Sequence, residues 1–323
     1  MIKQHAYPQS LSEAIRFFAD PDVALAFIVQ LRWPNGVICP RCEAEKPSYL
    51  TTRRIWKCRS CRKQFSVKVG TIFEDSALGL DKWLPALWML ANCRNGISSY
   101  ELGRHLHVTQ KTAWFMLGRI RLAMHTKSFE KRQGTLEIDE AFFGGLAQNM
   151  HAAKRRRVLR GTKAGAIGKA GAVAAVRRGT ESEASKVLAY VLRDPFAKPH
   201  GRMARETVLP GSKVYTDSAT LASDSLSGYI RKMINHSAKQ YVRGDVHTNS
   251  VENFWSNVKR MLKGTYISVD PIHLFRYLNE AVYRFNVRKD SERDRFSAVV
   301  RNIVGKRLTY AELINAGMPP ATT

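Results

Sequence analysis

The sequence predicts a multidomain chain of α+β class that becomes α/β in its second half. Three observations carry this. Two C-x2-C pairs lie near the N-terminus, three helical segments with capping signals follow them, and a series of apolar strand-like runs gives way to helix from residue 249. The expected domains are N-terminal helices over 1–34, a cysteine ribbon over 35–73, a helix-turn-helix over 81–125, a mixed sheet flanked by helices over 134–290 and a helical tail over 291–323.

The first 34 residues read as two short helices. Asp20-Pro21 marks a break and a restart, with Asp as N-cap and Pro as the first helical residue. The start, MIKQHAYPQSLSEAIRFF, has no signal-peptide core, and the longest apolar-rich runs are too short to span a bilayer. A cytoplasmic, nucleoid-associated location is expected. Formal charge is +25, from 52 Lys+Arg against 27 Asp+Glu, and the pI is about 10.2. That surplus exceeds what solubility needs and implies a polyanionic partner, nucleic acid first. A membrane surface is the weaker choice, because no polybasic stretch flanks a lipid-facing helix.

Cys39 and Cys42 (CPRC) and Cys58 and Cys61 (CRSC) are separated by 15 residues. The spacing fits one tetrahedral Zn²⁺ held by four thiolates, and a four-thiolate site is structural because it leaves no open position. A thioredoxin-like reading needs one such pair in a βαβ context, which neither pair has. Cys93, in an apolar helical run, is expected to be a core cysteine. Arg41, Arg53, Arg54, Lys57, Arg59, Arg62 and Lys63 crowd the ribbon and favour phosphate contact. Of these, Arg53, Arg54, Arg62 and Lys63 are the chosen DNA-binding candidates.

Next comes DKWLPALWMLANC as a first helix, and ISSYELGRHL as a second with Ser98 and Glu101 as a capping box. Thr109 caps a third helix, in which Ala113, Leu117, Ile120 and Met124 share one face. Gln110, Lys111, Thr112 and Arg119 are then left outward, the pattern of a recognition helix entering a major groove. Trp83, Trp88, Trp114 and Phe115 read as core. Further on, the basic Gly/Ala-rich stretch 151–171 reads as a mobile loop, with Arg155, Arg156 and Arg157 as further DNA-binding candidates.

The runs TLEIDEAFF, AGAVAAVRRG, KVLAYVLR and SKVYTDS supply the expected strands. In the helix that follows, Val251, Phe254, Trp255, Val258, Met261 and Leu262 form an apolar stripe. Glu252, Ser256, Lys259 and Lys263 form a separate polar row. Glu252 has a plain structural reading, as the third residue of a capping box begun by Asn249. Asp139 and Asp217 each sit in or at the end of a strand pattern, where Asp is commonly a turn residue. The order strand-Asp, strand-Asp, helix-Glu gives a second reading. Three carboxylates brought together repel unless divalent cations neutralise them, and Mg²⁺ suits such oxygen ligands in phosphoryl displacement. Lys259 would face the same side and grip a phosphate.

These pieces resemble the bacterial insertion-sequence transposases with an N-terminal zinc ribbon and an RNase-H-like DDE catalytic domain. The matching stretches are CPRC…KCRSCRKQFSVKVGTIFEDS, GISSYELGRHLHVTQKTAWFMLGRIR, EIDEAFFGG, VYTDS, HTNSVENFWSNVKRMLKGTY and HLFRYLNEAVYRFNVR, in the family's order over most of 35–290. The resemblance implies an RNase-H-like mixed sheet and a triad of Asp139, Asp217 and Glu252, with Lys259 as the associated lysine. It implies Mg²⁺ or Mn²⁺ in the catalytic site, two ions in number. The implied chemistry is hydrolysis of a phosphodiester at the element end, then attack of the freed 3′-hydroxyl on target DNA. The implied partners are double-stranded terminal inverted repeats and target DNA, engaged by a homodimer or larger assembly. Arg260 and Lys263 join the DNA-binding candidates. Some relatives use Asn as the third acid; Asn249 stands a turn before Glu252, and Glu252 is kept. Glu140 should point to the opposite face of its strand from Asp139 and is the weaker candidate. His236 and His247 read as outer or structural groups near the acids, and His105 and His107 as helix-end residues. Two other classes stay open: a DNA-binding regulator with an inactive RNase-H-like domain, and a nuclease or junction resolvase of similar fold.

Overall fold

The computed structural model describes residues 7–125, 129–144, 169–192, 194, 199–217, 226–234 and 242–315. The chain divides into two compact units, one from Met1–His125 with Asp290–Asn315, the other from Thr126–Lys289. The segment bearing Arg155, Arg156 and Arg157, and the position of His236, lie outside the described residues.

The first unit opens with α1 (Leu11–Phe18) and α2 (Pro21–Arg32). The Asp20 carboxylate accepts the backbone N–H groups of Asp22 and Val23, and Pro21 follows at the first helical position. A small antiparallel sheet comes next, of β1 (Ser48–Leu50), β2 (Ile55–Lys57) and β3 (Gln64–Phe65). Its one buried β2 side chain, Trp56, packs on Trp33 and Phe65. Then come α3 (Leu80–Asn92), α4 (Ser99–Leu106) and α5 (Gln110–Met124). The Ser98–Glu101 capping box is present, and Thr109 accepts the N–H of Thr112. His107 ends α4 in the left-handed region at φ 49°, which lets the chain turn sharply into α5. Trp83 and Trp88 are buried, while Trp114 and Phe115 are half-buried. Cys93 is not a core residue as expected: it is the half-buried residue that closes α3, because the apolar run stops one residue short of it.

The second unit is a five-stranded sheet with helices on both faces. Its strands are β4 (Thr135–Phe143), β5 (Ala170–Arg177), β6 (Lys186–Val191), β7 (Lys213–Asp217) and β8 (Ile230–Ile234), in the order β6-β5-β4-β7-β8. The first three pair antiparallel; β7 runs parallel to β4, and β8 parallel to β7. Side-chain alternation sorts β4 between two cores. Leu136 and Ile138 meet Met203 and Ala204 of α6 (His200–Thr207) on one face. Ala141, on the other face, shares a core with α7 (Asn249–Met261) and Leu278 of α8 (Leu274–Asn286). In β5, residues 171–177 are all buried, and the small side chains of 171–176 let helices cover both sides. Strand β8 has no counterpart in the sequence reading: IRKMI is short, carries two cations and forms a sheet edge.

Helix α7 docks through Val251, Phe254, Trp255 and Val258, all buried. Burial of each is worth roughly 1.5–3 kcal/mol. The stripe read from the sequence is therefore the buried face, and Glu252, Ser256, Lys259 and Lys263 are exposed.

The chain then returns to the first unit as α9 (Glu292–Arg301) and α10 (Tyr310–Ile314). Phe296 stacks with Phe27 and lies against Phe18 and Trp88. Leu313 closes over Gly118 of α5, where an added Cβ would come within 3.1 Å of it. Arg119 was expected to face outward, but it is 4% exposed. Its guanidinium donates to the carbonyls of Ile72, Glu74 and Leu308, so it ties α5 to the two chain segments that flank it.

Candidate active site and cysteine cluster

Asp139 and Asp217 each lie one residue beyond the paired Ile138 and Thr216 of the parallel strands β4 and β7. By alternation both point to the α7 face, since Ile138 and Val214 belong to the core under α6. The Asp139 carboxyl is pushed up to about 6 by burial first and, with a smaller effect, by the negative charges of Glu252 and Asp217; Lys259 acts in the opposite sense. Asp139 thus lies within electrostatic reach of Glu252, Asp217 and Lys259. The carboxylate oxygens are not gathered tightly: among the described residues, the four cysteines alone bring three or more metal-binding atoms within 4.8 Å of one another. Asp217 is half-buried and Glu252 exposed.

Glu140 points to the other face, where its Oε1 lies 3.1 Å from Nε2 of the buried His200. Burial, then the charges of Asp139 and Asp217, push its carboxyl up to about 7, while burial holds His200 down to about 4. At neutral pH this is a neutral imidazole beside an acid near the midpoint of its titration.

The capping box expected for Glu252 is absent. Thr248, not Asn249, precedes the first helical residue, and no side chain from the helix's own segment caps it. The Thr248 hydroxyl instead donates to Glu252 Oε1 at 2.8 Å. The cap comes from across the unit, from Glu137 on β4. This carboxylate accepts the backbone N–H groups of Ser250 at 2.8 Å and Val251 at 3.1 Å. It also accepts the Ser250 hydroxyl at 2.9 Å and Arg178 Nε at 2.5 Å. Sequence reasoning missed Glu137; the available signal was an acid at an inward strand position two residues before Asp139. His247 belongs to the same network, its Nδ1 2.9 Å from an Arg178 nitrogen.

In the ribbon, Cys39 Sγ lies 3.8 Å from Cys61 Sγ, and Cys42 Sγ 3.6 Å from Cys58 Sγ. Four sulfurs at about 2.3 Å from one tetrahedral Zn²⁺ would be about 3.8 Å apart, so the cluster fits that ion. The backbone N–H of Cys61 donates to Cys58 Sγ, which steadies a thiolate.

Of the basic candidates, Arg53, Arg62, Lys63, Lys111, Arg260 and Lys263 are exposed. Arg54 is exposed but forms a two-bond pair with Asp22. Gln110 is exposed and donates to Ser99; Thr112 is half-buried against Thr109. Lys111 lies over the Tyr310 ring.

Fold and site together define a protein with a zinc-ribbon-like cysteine cluster and a second unit built on a mixed sheet flanked by helices. Residues 20–64 match the transposase zinc-ribbon domain, and residues 131–286 match the ISXO2-like transposase domain. The chain thus carries two domains of transposase type, one after the other. It is 27% identical over 266 residues to an uncharacterized protein in transposable element ISH50 of Halobacterium salinarum, covering 77% of this chain and 85% of that relative. Among the described residues no helix is long and apolar enough to cross a membrane.

Proposed function

We propose that the protein is a DNA transposase that binds the terminal inverted repeats of its element, cleaves at the ends and joins them to target DNA. The observation that carries this is the electrostatic contact of Asp139 with Asp217, Glu252 and Lys259, within the stretch that matches a transposase domain. The sheet order, three antiparallel strands followed by two parallel ones, supports the RNase-H-like reading.

Asp139, Asp217 and Glu252 would hold Mg²⁺ or Mn²⁺. All three offer carboxylate oxygens, which suit a hard cation, and their mutual repulsion is what such a cation removes. When bound, the ions would supply charge stabilisation to the attacking and leaving oxygens. Water adds to phosphorus at the element end, and the 3′-oxygen leaves as a hydroxyl. That hydroxyl then attacks a target phosphodiester and displaces the target's own 3′-oxygen. Each joining step exchanges one phosphodiester for another, so no energy-rich co-reactant is needed. Lys259, exposed on the polar row of α7 beside Glu252, orients a DNA phosphate. Four thiolates hold a structural Zn²⁺ in the ribbon.

End recognition falls to the ribbon cations Arg53, Arg62 and Lys63 and to α4–α5 as a helix-turn-helix, with Gln110, Lys111 and Thr112 at the N-terminus of the recognition helix. Arg119 is withdrawn from that set by its burial. Two ends must meet, so the active form is a dimer or larger.

The test is an assay with Mg²⁺, labelled element-end DNA and a plasmid target, beside the Glu252→Gln protein. Metal-dependent joining that the variant lacks supports the transposase. Cleavage without joining would mean a nuclease or resolvase. Binding without cleavage would mean a regulator.

A further inference from the structure

Glu137 is 0% exposed, and a carboxylate so buried is tolerable as an anion only when paired and fully hydrogen-bonded. It has such partners, and where they come from is informative. Oε2 accepts the N–H groups of Ser250 and Val251. Oε1 accepts Ser250 Oγ and Arg178 Nε. Arg178 is held in turn: it donates to the carbonyls of Asp245 and His247, and it lies over the Tyr215 ring. Both carboxylate oxygens are thereby occupied, so Glu137 is not an additional metal ligand despite its place in the acid row of β4.

Its neighbours in sequence give the arrangement its meaning. Glu137 stands two residues before Asp139 on the same face of β4. Ser250 and Val251 immediately precede Glu252 on α7. One side chain therefore joins the strand that carries the first proposed ligand to the helical turn that carries the third. The anchor uses charge-assisted bonds to unsatisfied N–H groups at the positive end of a helix. Nothing in α7's own segment does this job, because Thr248 spends its hydroxyl on Glu252 itself.

We propose that Glu137 is a positioning residue of the active site: it fixes the first turn of α7, and with it Glu252, relative to Asp139. This rests on the proposed triad. Glu252 follows directly on the two residues that Glu137 holds, so the placement of that turn helps to set its separation from Asp139.

The test uses the full-length protein. Glu137→Gln keeps the shape and removes the charge; Ser250→Ala removes one of the four bonds and serves if the first variant folds poorly. Three readouts are taken well below the melting temperature: single-turnover cleavage of element-end DNA against Mn²⁺ concentration, end-DNA binding, and hydrogen exchange at residues 250–252 in metal-free protein. For Glu137→Gln the expected result is end binding within twofold of the parent and cleavage about 10–100-fold slower. The half-saturating Mn²⁺ concentration should shift upward and exchange at Ser250 and Val251 should quicken. Ser250→Ala should move the same quantities in the same direction by less. A variant that only melts earlier, with cleavage, Mn²⁺ dependence and local exchange unchanged, overturns the proposal and leaves Glu137 as a structural cap. Cleavage retained in Asp139→Asn would instead sink the triad, which keeps the two failures apart.

Discussion

Asp139 and Asp217 stand at matching positions on neighbouring parallel strands, each one residue past the paired Ile138 and Thr216. Two acids so placed share one face of the sheet, and the charge of one raises the proton affinity of the other. Asp139→Ala, Asp217→Ala and Glu252→Gln should each cut strand cleavage well beyond the roughly 100-fold that loss of an outer partner can cost. End binding should stay nearly intact. Gel-shift and cleavage assays on the same preparations check this, and retained cleavage would remove that residue from the triad.

The raised carboxyls of Asp139, to about 6, and Glu140, to about 7, fix a pH trend. Both hold a proton in the folded chain at pH values where the unfolded chain has lost it. Their contribution is therefore fully present below about pH 4 and is lost as pH rises through 6 and 7, each on the order of 2–3 kcal/mol. Without added divalent metal, unfolding of the second unit should need less urea at pH 8 than at pH 5. Asp139→Asn should flatten that slope. Added Mn²⁺ should restore stability mainly at the higher pH, because only the ionised acids bind it.

The sulfur spacings of the ribbon imply a different kind of metal dependence. Cys58→Ser should lower zinc content, loosen residues 35–73 and weaken end binding, since small zinc modules lose their fold with their metal. Atomic absorption and gel shift test it together. A Cys58→Ser protein with full zinc and normal end binding would contradict the four-thiolate site.

Arg119 offers a contrast with the exposed cations. Removing a buried guanidinium that serves three carbonyls should cost about 3 kcal/mol or more in stability of the first unit. Arg119→Leu is expected to lower the melting temperature without altering the salt slope of DNA binding by the folded protein. Arg62→Ala should do the reverse, leaving melting alone and reducing that slope by about one.

Short-range signals in the sequence proved readable. The Asp20-Pro21 restart, the Ser98–Glu101 box and the α7 stripe each depend on residues within a few positions of one another, and each stands in the structure. Strand β8 was hidden because an edge strand of five residues with two cations lacks an apolar run. Arg119 was misread because helical spacing identifies a face but not what else will cover it; Leu308 takes up its guanidinium from 189 residues away. The same limit applied at the site. Asp139, Asp217 and Glu252 could be singled out by type and order, whereas Glu137 acquires its partners 113 residues on, and no local pattern announces that.

The packing of Phe296 and Leu313 into the first unit has a consequence for synthesis. When the ribbon and α3–α5 emerge from a ribosome, the residues that close over Trp88 and Gly118 have not yet been made. The N-terminal unit must wait for the entire second unit, Thr126–Lys289, before its core can be sealed. A nascent or prematurely ended chain would leave Trp88 and Gly118 without that cover. Chaperones and proteases act on exposed apolar surface, so an incomplete chain would be more open to them than the finished one.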